Sequence, residues 1–170
     1  MDNLFGNLFA SEQKQTKPLA DRMRPERLSD FVGQESAVGV GSPLRRMIER
    51  DALQSVLFYG PPGTGKTTLA QVIAHVTGEK FVSINAVSSG VPELRKLIAK
   101  AQDDRRAGMG RTIVFIDEIH RLNSSLEEIL YPAMEDYRLD FVVGKGPSAT
   151  SVNIKLEKFT LIGATTKAGN

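Results

Sequence analysis

The stretch VLFYGPPGTGKTTLAQVIAHVTG, residues 56 to 78, constrains the fold more than any other part of the chain. An apolar run of strand length leads into Gly60, Pro61, Pro62, Gly63, Thr64, Gly65, Lys66, Thr67 and Thr68. Apolar residues at helical spacing follow at Leu69, Val72, Ile73 and Val76. The loop fits G-x-x-x-x-G-K-[ST] at Gly60, Gly65, Lys66 and Thr67, with both required flanks. Glycine has no Cβ, so successive backbone N–H groups can turn inward around a phosphate, and the helix N-terminus adds its positive dipole end. Lys66 is then placed to reach the β- and γ-phosphates of a nucleotide, and Thr67 to bind magnesium through its hydroxyl. A turn that merely joins strand to helix has no need of Lys and Thr in this order.

The rest of the chain repeats the strand-then-helix rhythm. SPLRRMIERDAL predicts a helix capped by Ser42, with Pro43 as its first residue and Leu44, Met47 and Ile48 on one face. KFVSIN predicts a strand. VPELRKLIAKAQDDRRAG predicts a helix that turns Val91, Leu94, Leu97, Ile98 and Ala101 inward and stops at Gly108. RTIVFIDE is a third buried strand and FTLIGATT a fourth. Between them NSSLEEILYPAMEDY carries two capping signatures, Ser124 to Glu127 and Ser125 to Glu128, with Pro132 expected to bend the helix. This alternation predicts an α/β fold: a parallel sheet with helices on both faces and ligands at the carboxyl ends of the strands. LDFVVGKGPSATSVNIKLEK, residues 139–158, breaks the alternation and predicts an inserted β-hairpin around GKGPSA, projecting without a sheet partner.

Residues 1–17 show no strand or helix period and are expected to form a mobile tail, its only feature the echo NLFG, NLFA. Residues 18–170 form the expected core, and 170 residues suffice to bury about two-thirds of the unfolded surface. No apolar run approaches the ~20 residues of a membrane span. The absence of cysteine excludes disulfides and thiolate metal sites, and the start carries no secretory pattern, so a cytoplasmic location is expected. A net charge of +2 does not by itself announce nucleic-acid binding.

Ile113 to Ile116 deliver Asp117 and Glu118 to the end of a strand. Adjacent carboxylates there can divide labour, Asp117 in the magnesium shell and Glu118 polarising a water for attack on the γ-phosphate. Hydrolysis is therefore the expected use of the nucleotide, and a small-molecule kinase, which needs no such Glu, is disfavoured. GATT ends the fourth strand, and Thr166 is favoured over Thr165 as a sensor of the γ-phosphate. His120 can hydrogen-bond the end of a strand; for it and His75 an ordinary structural role is expected, neither having a second ligand at metal spacing.

With these motifs in place, two related families become recognisable, both of the AAA+ class of P-loop ATPases. Residues 1 to about 122, through PLADRMRPERLSDFVGQE, GPPGTGKTTLAQVIAH, INAVSSGVPELRKLI and TIVFIDEIHR, resemble the RarA family of replication-associated recombination ATPases. From about residue 113, FIDEIHRLNSSLEEILYPAMEDYRLDFVVGKGPSATSVNIKLEKFTLIGATTKAG resembles the RuvB family of Holliday-junction branch-migration motors. The hairpin belongs to the RuvB pattern, where it docks the junction-binding partner RuvA. The resemblance implies ATP and Mg2+ as ligands, branched DNA or replication forks as substrate, and a ring-shaped homo-oligomer. It implies that Met23, Arg24, Phe31 and Val32 border the adenine, and that Gly63, Lys66, Thr67 and Thr68 hold phosphate and magnesium. It also implies that Glu135, Asp136 and Tyr137 approach a neighbouring subunit's nucleotide. Both families continue past the sensor strand with a fifth strand, an arginine finger and a helical lid. These are expected to be absent from an incomplete core, and because a finger can be worth about 10³ or more in turnover, ATP is expected to be bound better than hydrolysed. The alternative expectation is a nucleotide-binding module that docks on a partner such as RuvA without motor activity.

Overall fold

A computed structural model of the chain describes residues 18–143, 150–157 and 159–167. The expected tail 1–17, the hairpin tip 144–149 and the last three residues lie outside them. Four strands form one parallel sheet: β1 (Val56–Tyr59), β2 (Lys80–Asn85), β3 (Thr112–Asp117) and β6 (Thr160–Thr165), in the order β1-β6-β3-β2. The two central strands are buried almost throughout, as TIVFI and TLIGAT require, because a parallel strand covered on both faces must be apolar on both. The register pairs Asn85 with Asp117, Ile116 with Gly163 and Tyr59 with Thr165, so the carboxyl ends of all four strands come out level.

Alternation along the central strands divides the core in two. Ile113 and Phe115, with Ile162 and Ala164 of β6, face Leu69, Val72 and Ile73 of helix α4 (Lys66–Thr77). Val114, Ile116 and Leu161 face the opposite way, toward Leu94 and Ile98 of α5 (Val91–Arg106) and Leu126 and Leu130 of α6 (Ser124–Glu135). Each fully buried Phe, Leu or Ile contributes about 1.5–3 kcal/mol of transfer free energy, so these two faces hold the sheet between its helices. The α/β architecture read from the sequence is therefore the one observed.

Several details differ from the expectation. Residues 18–41, unassigned from the sequence, hold α1 (Leu19–Arg22), a 3-10 turn (Leu28–Asp30) and α2 (Glu35–Val38), turns too short to carry a period. Helix α3 (Pro43–Glu49) keeps its Ser42 cap, with Arg45 N–H donating to Ser42 Oγ, but ends before Asp51, whose φ of 53° is left-handed. Helix α6 is capped neither by Ser124 nor by Ser125. Asn123 takes the cap, its side-chain oxygen accepting from Leu126 N–H at 3.0 Å, and Ser124 becomes the first helical residue. Pro132 lies inside α6, which runs on for three residues beyond it.

The hairpin is present as β4 (Arg138–Val143) and β5 (Thr150–Lys155), an antiparallel pair forming a sheet of its own. Its root belongs to the core: Leu139 and Leu156 are buried beside Leu161, and Leu156 N–H donates to Tyr137 O at 2.6 Å. Among the described residues no helix is long and apolar enough to cross a membrane.

Ion pairs gather at the opposite end of the sheet from the carboxyl edge. Lys80 Nζ meets Asp104 Oδ2 at 2.7 Å, and Arg111 joins Glu79 at 2.7 Å and Asp51. Glu79 keeps only 6% of its side chain exposed, and this burial, opposed in part by Arg111, raises its pKa above the ordinary 4.5. A buried acid with a raised pKa favours the fold in its protonated form, so its contribution is fullest below pH 4.5 and is lost as pH rises through the folded-state value. The stability advantage of wild type over Glu79→Gln should accordingly shrink as pH is raised from below 4.5 to neutrality in denaturant titrations; an advantage that grew with pH would contradict the burial argument.

Candidate functional site

Between β1 and α4 the chain must reverse in six residues, and two of them adopt backbone angles that favour glycine: φ is 78° at Gly63 and 85° at Gly65. Space is short as well, since a Cβ on Gly65 would stand 3.0 Å from Phe31 Cζ. Gly65 is the N-cap of α4 and supplies no side-chain cap, which leaves the first amides of a 12-residue helix for another acceptor. Within the loop Thr64 Oγ1 donates to Pro61 O at 2.9 Å. Lys66 Nζ donates to Gly60 O and Pro61 O, each at 2.8 Å. A charged acceptor would compete favourably with these two neutral carbonyls for the ammonium group.

Asp117 closes β3, and Glu118 follows with φ 54°, a left-handed conformation that costs a non-glycine residue about 1–3 kcal/mol and gathers at functional sites. The strain is held by two bonds: Glu118 N–H donates to Asp117 Oδ1 at 3.1 Å, and Arg121 N–H donates to Glu118 O at 2.7 Å, closing a 3-10 turn over Ile119–Arg121. Thr166 immediately follows β6.

These elements meet in one cleft of about 370 Å³, lined by Pro62, Gly63, Gly65, Lys66, Thr67, Thr68, Asp117, Glu118, Thr166 and Arg24. Residues far apart in the chain thus face a single polar space. An adjoining, more apolar cleft of about 660 Å³ takes in Gly60, Pro61 and Thr64 of the loop together with Phe31, Leu44, Met47 and Leu69. Of the four residues expected around the adenine, Arg24 lines the polar cleft and Phe31 the apolar one, whereas Met23 and Val32 are exposed, Val32 to 96%. Glu135, Asp136 and Tyr137 line neither cleft. Asp136 pairs with Arg138 at 3.3 Å, and the Tyr137 ring packs edge-on against Phe159, joining the core under the hairpin.

Sequence reading missed two features. Arg24 is held by Gln71, Nη1 to Oε1 at 2.8 Å, across 47 positions of chain, which no local pattern signals. His120 bonds the end of a strand through Thr165, with Nδ1 and Oγ1 2.9 Å apart, but it also stands 3.4 Å from Glu118 Oε2 through Nε2. The adjacency of His120 to the acidic pair was the available signal.

The residues fit a magnesium nucleotide. A glycine cradle with free helix amides, one lysine, and hard oxygen donors from Thr67 and Asp117 are what a phosphate chain and a Mg2+ that keeps most of its waters require.

A parallel sheet of this order, with the glycine loop after its first strand and the acidic pair after its third, defines a P-loop nucleotide-binding domain of the AAA+ type. The chain belongs to the RuvB family: residues 23–170 match the Holliday junction DNA helicase RuvB P-loop domain, which takes in most of the first 122 residues as well, and no RarA match accompanies it. Among solved structures, a point mutant of Thermotoga maritima RuvB is 34% identical, with a TM-score of 0.66 over 85% of this chain and 43% of that one. The Thermotoga maritima RuvB Holliday junction branch migration motor is 33% identical, with a TM-score of 0.61 over 85% of this chain and 42% of that one. The chain therefore spans less than half the length of the RuvB structures it matches.

Lys66 is the one cationic side chain of the loop, and each charge-assisted bond is worth about 1.5–3 kcal/mol. Lys66→Ala should weaken Mg2+–ATP binding by roughly 10- to 100-fold in calorimetric titration with the fold retained in circular dichroism; undiminished affinity would remove Lys66 from the phosphate site.

Proposed function

We propose that the chain is the ATP-binding and ATP-hydrolysing core of a RuvB-type DNA motor that acts on branched DNA, Holliday junctions above all. The observation that carries this reading is the convergence of Lys66, Thr67, Asp117, Glu118 and Thr166 on one cleft. The RarA-like wording of the first 122 residues supports including replication forks among the substrates.

In this reading the loop amides between Gly60 and Thr68 bind the β-phosphate, and Lys66 leaves the Gly60 and Pro61 carbonyls to bridge the β- and γ-phosphates. Thr67 and Asp117 would hold a magnesium ion, and such an ion would supply positive charge against the phosphate oxygens. Glu118 orients a water and draws on its proton as the oxygen attacks the γ-phosphorus; the bond from the γ-phosphorus to the bridging oxygen breaks, leaving ADP and phosphate. Thr166 hydrogen-bonds the γ-phosphate and senses its presence. Glu135, Asp136 and Tyr137 approach the nucleotide of the next subunit in a homo-oligomeric ring.

Turnover measured with four-way junction DNA and RuvA should exceed turnover without them. Glu118→Gln should leave ATP affinity near wild type while lowering kcat by about 10²-fold or more. Equal loss of binding in Glu118→Gln and Lys66→Ala would contradict the division of roles, and indifference to every DNA structure would count against a DNA motor.

A second reading, a nucleotide-loaded module that docks on RuvA without motor work, is supported by the hairpin's standing as a separate two-stranded sheet. Complete removal of 139–158 would also take Leu139 and Leu156 from the core. Replacing residues 142–151 by Asn-Gly keeps both, together with the pairs from Leu139–Ile154 to Phe141–Val152, and suits a two-residue turn. This variant should lose capture by RuvA in a pull-down while binding ATP normally; retained capture would free the hairpin of that role.

A further inference from the structure

The 3-10 turn Ile119–Arg121 lies against β6, with the Ile119 side chain over Gly163, where a Cβ would stand 2.7 Å from Ile119 Cδ1 and 3.0 Å from Leu57 Cδ1. The turn thereby brings the His120 ring between the end of β6 and the acidic pair, with Nδ1 2.9 Å from Thr165 Oγ1 and Nε2 3.4 Å from Glu118 Oε2. The ring is largely enclosed, 17% exposed, so water competes weakly for either nitrogen.

Proton bookkeeping gives the contacts a direction. A neutral imidazole has one donor and one acceptor nitrogen, and an ionised carboxylate only accepts. With the proton on the nitrogen facing Glu118, Nδ1 accepts, and the Thr165 hydroxyl donates to it at 2.9 Å in preference to the Lys167 carbonyl at 3.4 Å. Thr165 Oγ1 suits that role, because its lone pair already accepts from Lys167 N–H at 3.1 Å. A directed chain results: Lys167 N–H to Thr165, Thr165 to His120, His120 toward Glu118. Thr166, the residue enclosed by this loop of bonds, lines the phosphate cleft. The left-handed backbone of Glu118 fixes where its side chain starts, and among the described residues His120 is the side chain that meets its carboxylate.

We infer that His120 is a positioning residue that ties the orientation of the Glu118 carboxylate to the segment Thr165–Lys167, so that the water-polarising group follows any movement of the threonine facing the γ-phosphate. This rests on the ATPase reading, and it goes beyond a packing role for His120 because it requires one particular tautomer.

The test combines ring spectroscopy with turnover on the full chain. Two-bond 1H–15N correlation spectra at a pH where the ring is neutral, assigned with His75→Gln, should show His120 as the Nε2–H tautomer. Thr165→Val, which keeps the shape and removes the donor, should lower that population. His120→Ala should reduce kcat by about 10- to 100-fold, the usual effect of losing a supporting partner, with ATP affinity within about twofold of wild type. His120→Gln, which carries an N–H where Nε2 stood, should recover most of the loss; His120→Asn, which reaches only Thr165, should not. An Nδ1–H tautomer, a tautomer indifferent to Thr165→Val, an unchanged kcat in His120→Ala, or equal activity of the Gln and Asn variants would each overturn the inference. If wild type has no measurable turnover, the hydrolytic reading fails by itself. The ring signals then decide: displacement of the His120 15N resonances by magnesium and a non-hydrolysable ATP analogue supports the coupling, and no displacement overturns it.

Discussion

Of the four sheet strands among the described residues, β6 comes latest in the sequence, yet it lies between β1 and β3 and sets the level of both. Its register puts Thr165 opposite Tyr59 on one side and Gly163 opposite Ile116 on the other. A one-residue slip would exchange the side chains packed on the two buried faces, so the register is held by the fit of each face against its own helices. That constraint alone brings the glycine loop after β1, the carboxylates after β3 and the threonine after β6 to one edge. The cleft is thus a consequence of core packing that takes place below it.

The distribution of polar groups follows the same division. At the amino ends of the strands, Glu79, Arg111, Asp51, Lys80 and Asp104 are paired, and they join elements to one another. At the carboxyl edge the polar groups are instead kept by backbone: Lys66 by the carbonyls of its own loop, Glu118 by a turn with left-handed φ, Thr165 by Lys167. Contacts of that kind can be exchanged for a ligand's without unpacking the core. Strain at Glu118, about 1–3 kcal/mol, is affordable because Ile116 and Ile119 on either side are packed against the sheet and its neighbours.

The hairpin shows how an insertion is accommodated between α6 and β6. It adds no strand to the main sheet; its strands pair with each other, while Leu139, Tyr137, Leu156 and Phe159 at its base complete the core cluster below α5 and α6. Tyr137 takes a left-handed φ of 51° at this junction, where the chain leaves the helix. Its ring packs edge-on against Phe159 beneath the hairpin.

The glycine loop, the acidic pair, the strands and the three long helices were legible in the sequence because each is a local pattern: an apolar period, a cap, a motif of fixed spacing. The short turns of residues 18–41 were not, since four residues are too few to display a period, and at α6 Asn123 outcompeted two serines that read equally well as caps. Within the site, the sequence by itself determined which chemical groups are available: a phosphate cradle, a lysine, a hydroxyl, two carboxylates and a threonine. Only the tertiary structure decided which of them meet, because β6 pairs with strands about 45 and 105 positions earlier in the chain, separations at which a sequence pattern carries no distance information. The link from Thr165 through His120 to Glu118 belongs to that second kind: the turn after β3 rests on β6 and sets the ring between them, a fact of packing rather than of spacing.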